Sequence, residues 1–109
     1  MIDVTIDERE GAIIARPHLH RLDAMAAPEF RSALLARTAN RALLILSLER
    51  VRFIDSSGLG TLVSLLKNLA AGGRLHLVDV HDDVQVLLRI TRLDRIFPVF
   101  STVEDALRG

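Results

Sequence analysis

Apolar and polar residues alternate at the start of the chain, and apolar residues later recur at helical spacing. The alternation over residues 2–6 predicts a strand with one face in water, and Glu10-Gly11 predicts a turn into a second strand over residues 12–16. Residues 42–46 are apolar at every position, which is typical of a central strand covered on both faces. The pattern therefore predicts an opening hairpin followed by a buried inner strand.

Capping residues mark where the predicted helices begin. Asp23 precedes one helical stretch, the polar residues around Ser57 precede a second, and Ser101 with Glu104 matches a capping box. The predicted helices cover residues 24–38, from about 57 to the stop at Gly72-Gly73, 82–91 with caps at Asp82-Asp83, and 101–107. The remaining predicted strands cover residues 74–80 and 97–100, the last at a sheet edge because it contains Pro98.

The order of these elements, β-β-α-β-α-β-α-β-α, predicts the fold class. It favours an α/β domain with a mixed sheet of four to five strands, a single layer packed by about four α-helices. A chain of 109 residues has room for one domain, which we expect to span residues 1–109. Half of the residues are hydrophobic but only 4% are aromatic, so the core has to be built mainly from aliphatic side chains.

Charge and composition exclude several classes of protein. Fourteen basic residues balance fourteen acidic ones, so no net field favours nucleic acid or an anionic membrane, and we expect a protein partner. The chain has no cysteine, and its apolar runs are far shorter than the roughly 20 residues of a membrane helix. Because a basic leader and a cofactor motif are also absent, the sequence predicts a cytoplasmic protein without a cofactor or metal.

The segment 55–60, DSSGLG, lies between a predicted strand and a predicted helix. At a helix start, the Ser57 hydroxyl lies at the positive end of the helix dipole, among free backbone amides that tolerate a phosphate. Asp and Ser before a helix are also ordinary capping residues, so position alone leaves a purely structural role open. A polar stripe along the same helix is a candidate docking surface, formed by Ser57, Thr61, Ser64 and Asn68.

The wording of residues 51–62, VRFIDSSGLGTL, carries a family resemblance. It closely resembles the signature of the STAS domain, specifically of bacterial anti-sigma factor antagonists, and the segments 21–30 and 99–107 are similar to other parts of that family. The resemblance implies a partner-switching role in transcription regulation, in which the unphosphorylated protein captures an anti-sigma factor and frees a sigma factor. It also implies that the anti-sigma factor is a serine kinase that inactivates the protein by phosphorylating Ser57.

The resemblance further implies a set of partner-binding residues. Asp55 and Ser56 match the loop around the phosphoacceptor, Gly58 and Gly60 match glycines that let the backbone approach closely, and Asp23 matches an acid that contacts the kinase. The predicted partner-binding residues are Asp23, Asp55, Ser56, Gly58, Leu59, Gly60, Thr61 and Ser64. The expected partners are an ATP-dependent anti-sigma factor kinase and a serine phosphatase, and the oligomeric state stays open between a monomer and a weak dimer.

Two positions depart from the family pattern. His20 and Arg21 stand where a glycine is common, shortly before Asp23, and Ser47 stands where an aspartate usually ends the inner strand. The change at Ser47 keeps an alternative function open: a non-phosphorylated STAS scaffold or regulatory subunit of a phospholipid-transport ATPase complex.

An enzymatic function is a further alternative. A small hydrolase or nucleotide-binding enzyme using Asp55 and Ser57 would need a histidine beside them, and His76 and His81 are the candidates. Since no catalytic set is assembled in the sequence, we predict a binding protein and not an enzyme.

Overall fold

The main sheet of the protein has five strands, with the apolar inner strand at its centre. A computed structural model describes residues 2–109. Its strands are β1 (Val4–Arg9), β2 (Ala12–Pro17), β3 (Arg21–Leu22), β4 (Leu43–Ser47), β5 (Phe53–Ile54), β6 (Arg74–Val78) and β7 (Val99–Phe100). The sheet order is β1-β2-β4-β6-β7; β1 runs antiparallel to β2, and the other neighbours run parallel. The short strands β3 and β5 form a separate parallel pair that the sequence did not predict.

Helices cover both faces of this sheet. They are α1 (Ala27–Thr38), α2 (Ser56–Asn68), α3 (Asp82–Ile90) and α4 (Val103–Arg108), with a short 3-10 turn at Leu93–Arg95. Buried side chains of α1, α2 and α3 share one apolar core, while α4 packs in a second, smaller core on the other face. The predicted α/β class, with a mixed sheet and four helices, is confirmed. No helix among residues 2–109 is both long and apolar enough to cross a bilayer.

Side-chain alternation along β4 explains why this strand is apolar up to its last residue, Ser47. Leu44 and Leu46 point into the larger core, and Ile45 points into the core under α4. All three side chains are fully buried. A strand with helices on both faces favours apolar side chains along its middle, so the prediction of a central strand is confirmed.

The opening hairpin turns at Glu10-Gly11, as predicted. Both residues have positive φ, 52° at Glu10 and 83° at Gly11, as in a type I′ turn. This turn sets the register that pairs Arg9 with Ala12 and Val4 with Pro17.

The first helix begins three residues later than its predicted start at residue 24. Oδ1 of Asp23 accepts hydrogen bonds of 3.1 Å from the amides of Met25 and Ala26, and these bonds close a turn ahead of the helix. The helix then starts at Ala27, followed by Pro28, whose missing N–H is not needed in a first turn. Asp23 therefore caps the turn and not the helix.

The capping residues of the last two helices also differ from prediction. α4 is capped by Thr102, whose Oγ1 accepts a 3.1 Å hydrogen bond from Asp105 N, so the predicted box of Ser101 and Glu104 is one residue out of register. At α3, His81 occupies the N-cap position, and the two aspartates predicted as caps lie in the first turn. Acids in a first turn still stabilise a helix through its dipole.

Other predicted elements also extend beyond the observed ones. α2 ends at Asn68, ahead of the glycines, because the Asn68 side chain donates to Leu35 O and its carbonyl accepts from Asn40 N. The strand predicted over residues 74–80 ends at Val78. Of the last strand, predicted over residues 97–100, only Val99–Phe100 pair with β6. Phe97 is fully buried and lies outside the strand.

His76 on β6 is a buried titratable side chain between the sheet and α4. Its Nδ1 lies 2.8 Å from Ala106 O, and since a carbonyl oxygen only accepts, Nδ1 carries the hydrogen. The Phe100 ring lies 4.7 Å away, centroid to centroid. Burial lowers the pKa of His76 below its usual 6.5; the bond to Ala106 opposes this shift, and the charge of Arg74 adds to it.

Acidification should destabilise the protein through His76. The unfolded chain takes up a proton near the usual pKa while the folded chain holds the ring neutral, so the free energy of unfolding should fall as pH drops below about 6.5. Urea unfolding at about pH 8 and about pH 5.5 measures this loss for the wild type, for His76→Gln and for the exposed control His20→Gln. His76→Gln should lose less stability between the two pH values than the other two proteins. Equal losses in all three would contradict the assignment.

Candidate functional site

The DSSG segment forms the start of α2, as predicted. Asp55 is the N-cap residue: its Oδ1 accepts a 3.0 Å hydrogen bond from Gly58 N, and its backbone carbonyl accepts one from Leu59 N. Ser56 and Ser57 are exposed in the first turn. Because first-turn amides have no partner within their own helix, the Ser57 hydroxyl lies beside hydrogen-bond donors and the positive helix end.

The carboxylate of Asp55 also joins the helix start to a second segment. Its Oδ2 accepts a 3.1 Å hydrogen bond from Ala24 N, in the turn closed by Asp23. The Asp55 amide donates to Leu22 O at 3.3 Å. One side chain therefore holds the Ser57 turn and the Asp23 turn together, although they are far apart in the sequence.

Gly58 allows the first turn of α2 to lie against β3. A Cβ at this position would come within 2.2 Å of Leu22 O and 2.8 Å of Ile54 Cγ2. The predicted close backbone approach is therefore present at Gly58. At Gly60 a Cβ would meet nothing within 4 Å in this chain, so a close approach there stays a prediction about the partner.

Asp23 is largely engaged within its own turn. Besides the amides of Met25 and Ala26, its carboxylate accepts from Arg21 Nε, with 3.4 Å between Nε and Oδ2. The hydrogen bond from the Ala26 amide, with smaller contributions from Arg21 and Met25, lowers the pKa of Asp23, although partial burial opposes the shift. Both oxygens of the Asp23 carboxylate therefore accept hydrogen bonds from residues of the same turn.

The polar stripe along α2 is not an open surface, and this prediction is corrected. Thr61 is 5% exposed and its hydroxyl donates to Ser57 O. Ser64 Oγ accepts a 2.9 Å hydrogen bond from Arg31 Nε on α1, and Asn68 donates to α1 as well. The stripe faces α1 because the two helices pack side by side, and only its first residue, Ser57, is exposed.

The predicted partner-binding residues divide into a buried and an accessible group. Gly58, Leu59 and Thr61 are buried and support the site from inside. The residues with exposed or partly exposed side chains or backbone are Asp23, Asp55, Ser56, Gly60 and Ser64. Contact of these residues with a partner stays a prediction.

Ser47 lies beside a carboxylate from the neighbouring strand end. The Ser47 side chain is buried, and its Oγ donates a 3.0 Å hydrogen bond to Asp79 Oδ2 just after β6. The same Oγ accepts a longer bond of 3.4 Å from Glu49 N. Asp79 therefore supplies a carboxylate at the strand end where Ser47 stands in place of the expected aspartate. Sequence spacing does not show this proximity.

Neither candidate histidine is hydrogen-bonded to the Ser57 site. His76 lies on the sheet face that packs against α4, opposite to the face that carries α2. His81 Nε2 contacts Glu49 O, and its side chain lines a polar cavity of about 430 Å³ with Arg52, Asp82 and Asp83. Within residues 2–109, no group of three or more His, Asp or Glu side chains is placed to hold a metal ion.

Two exposed features near the site were missed by sequence reasoning. The guanidinium of Arg21 stacks on the ring of Phe53, with Cζ 4.0 Å from the ring centroid. Met25 is 89% exposed at the tip of the turn that Asp23 closes. The stacking of Arg21 on Phe53 depends on the pairing of β3 with β5. Strands of two residues show no periodicity, so the sequence carried no signal of this pairing.

The chain belongs to the STAS domain family, whose family model matches residues 3–106. A Thermotoga neapolitana homolog of the protein TM1081 is 42% identical over 69 residues, which is 62% of this chain and 59% of that protein. The anti-sigma F factor antagonist of Paenibacillus polymyxa is 27% identical over 97% of this chain and 92% of its own length. The crystal structure of an anti-sigma factor antagonist from Mycobacterium paratuberculosis has a TM-score of 0.85 at 25% identity, covering 99% of this chain and 92% of that one.

Replacing Gly58 should separate α2 from β3. Gly58→Ala places a methyl group 2.2 Å from a backbone oxygen that cannot rotate away, so we expect a loss of about 2 to 3 kcal/mol in the free energy of unfolding. Gly60→Ala is the matched control, because the space is open and alanine favours a helix by about 0.5 to 1 kcal/mol. Urea unfolding of both variants measures the difference. Equal stabilities would show that the close approach is unimportant.

Removing the Asp55 carboxylate should loosen two segments at once. Asp55→Ala deletes the acceptor of both Gly58 N and Ala24 N, so we expect a cost of about 1 to 2 kcal/mol and faster amide exchange at both positions. The exposed Ser56→Ala is the control and should leave both exchange rates unchanged. Faster exchange at Gly58 alone would contradict the bridge to Ala24.

Proposed function

We propose that this chain is an anti-sigma factor antagonist that binds an anti-sigma factor with serine kinase activity and is inactivated by phosphorylation on Ser57. The observation that carries the proposal is the exposed Ser57 hydroxyl in the first turn of α2, within the family's signature segment. The names of the Paenibacillus relative and the mycobacterial structure support the same role. A serine phosphatase would return the protein to its binding state.

The chemistry requires little from this chain beyond an accessible, well-positioned hydroxyl. Ser57 Oγ would attack the γ-phosphorus of ATP on the kinase, the bond to ADP would break, and the hydroxyl proton would pass to a base of the kinase. The product adds about −1.5 to −2 charges at a helix N-terminus, where backbone amides and the dipole stabilise them. The fold should therefore tolerate the phosphate, so that its main effect falls on the bound partner.

Release follows from electrostatics at a close interface. The Asp55 carboxylate already occupies Gly58 N, and Asp23 lies in the adjoining turn, so a phosphate on Ser57 would concentrate negative charge at this end of α2. Such charge in a desolvated contact weakens binding by orders of magnitude unless the partner supplies cations.

The exposed residues around Ser57 define the surface that we assign to the partner. Ser56, Ser57 and Gly60 are exposed on α2, and Met25 is exposed on the neighbouring turn. The Asp55 bridge holds both parts in a constant relative position, which favours binding because little order has to be created in the complex. We therefore assign to the chain a binding role in the cytoplasm and not an enzymatic one.

Phosphorylation of Ser57 is tested with the anti-sigma factor kinase encoded by the same genome. Incubation with ATP should add one phosphate to the Ser57 peptide, as measured by mass spectrometry. Ser57→Ala should remain unmodified and bound to the partner, whereas Ser57→Asp should bind more weakly by at least about tenfold in Kd. Ser32→Ala, at an exposed serine of α1 outside this surface, is the matched control and should behave as the wild type.

The same experiment separates the two candidate functions. A phosphate on Ser56 instead of Ser57, or equal binding by Ser57→Ala and Ser57→Asp, would contradict the switch. A scaffold of a phospholipid-transport ATPase would carry no phosphate on Ser57 in cells and would co-purify with the transporter ATPase.

A further inference from the structure

The side chain of Arg21 is held in one place although it is largely exposed. Its guanidinium lies over the Phe53 ring at 4.0 Å, and its Nε bonds to Asp23 Oδ2. β3 pairs with β5 in a register that places Arg21 directly opposite Phe53. The side chain of Arg21 nevertheless remains 62% exposed. Stacking and the Nε contact reduce the rotamer freedom that an arginine would otherwise lose on binding a ligand.

Of the two charged groups in the Arg21–Asp23 pair, the Arg21 guanidinium is the one exposed to solvent. Both Asp23 oxygens accept hydrogen bonds from this chain, and the side chain is only 21% exposed. In the part of the chain that the structure describes, neither Nη of Arg21 has a hydrogen-bond partner. The four N–H donors on the two Nη atoms are therefore free. They lie on β3, whose next residue, Leu22, contacts Gly58 in the first turn of α2.

The surroundings of Arg21 have the composition of an interface centre. Phe53 is 39% exposed despite the stacked guanidinium, and Met25 is 89% exposed on the turn that Asp23 closes. Arginine, methionine and aromatic residues are enriched at interface cores, where arginine and aromatic side chains often dominate the binding energy. A planar guanidinium fits a carboxylate through two parallel hydrogen bonds, a match that lysine cannot reproduce.

We propose that Arg21, positioned by Phe53, determines partner specificity by binding an acidic side chain of the anti-sigma factor. The inference rests on the proposed function, because it names the chemistry of one contact in that interface. The contact is selective because a partner side chain without a carboxylate could not form the two parallel hydrogen bonds to the guanidinium.

The test compares Arg21→Gln, Arg21→Lys and Phe53→Leu with a charge-matched control, Arg37→Gln. Arg37 lies in the last turn of α1, at the end away from the Asp23 turn. Kd for the anti-sigma factor is measured by calorimetry, and KM and kcat for Ser57 phosphorylation are measured with the same kinase. We expect Arg21→Gln to raise Kd and KM by about tenfold or more with kcat unchanged, and Arg21→Lys and Phe53→Leu to fall between it and the wild type. Arg37→Gln should match the wild type. Thermal unfolding confirms that each variant is folded.

Each outcome bears on one of the two proposals. If the wild type neither binds the kinase nor is phosphorylated, the proposed function fails. If the wild type binds and Arg21→Gln binds equally well, or Arg37→Gln loses as much affinity, the specificity role of Arg21 is overturned. A rise in KM for ATP alone would place Arg21 against the nucleotide and would also overturn it. Rescue of Arg21→Glu by a Glu→Arg or Asp→Arg change on the anti-sigma factor would identify the paired acid.

Discussion

The contact between the first turn of α2 and β3 is the constraint on which the site depends. Gly58 lets the helix start lie directly on the Leu22 carbonyl, at a distance that no residue with a Cβ could adopt. At that separation, the Asp55 carboxylate reaches Gly58 N with one oxygen and Ala24 N with the other. The helix cap and the tertiary contact are thus made by a single side chain, and Ser57 is left facing outward between them.

This constraint places the candidate partner surface at the end of α2 and not along it. The polar side chains farther along the helix serve the contact with α1: Ser64 binds Arg31, and Asn68 binds the Leu35 carbonyl. A rigid helix pair therefore supports a small exposed tip formed by two turns. Arg21 on Phe53 extends that tip on the side of β3, where the short β3–β5 pair joins it to the rest of the fold.

The prediction of elements succeeded where local pattern is sufficient. Capping residues around Asp55 predicted the helix start near Ser57, and Asp55 is the observed cap. A run of apolar residues predicted β4, whose side chains are buried on both faces of the sheet. Boundaries were less accurate, because equivalent polar residues compete: Asp23 caps a turn ahead of α1, and Thr102 replaces Ser101 as the cap of α4. The pair β3–β5 was missed because two-residue strands show no period, and their pairing is decided by the contacts around Leu22.

The sequence by itself determined the class of fold and the position of Ser57 at a helix start, since periodicity and capping are local properties. Tertiary structure alone decided which polar residues are available to a partner. Helical spacing separates the polar face of α2 from its apolar face, but it cannot show that α1 covers most of that polar face. Nor can it show that the Asp23 carboxylate is consumed by its own turn while the Arg21 guanidinium remains outside. Both outcomes depend on packing between segments that are distant in the chain.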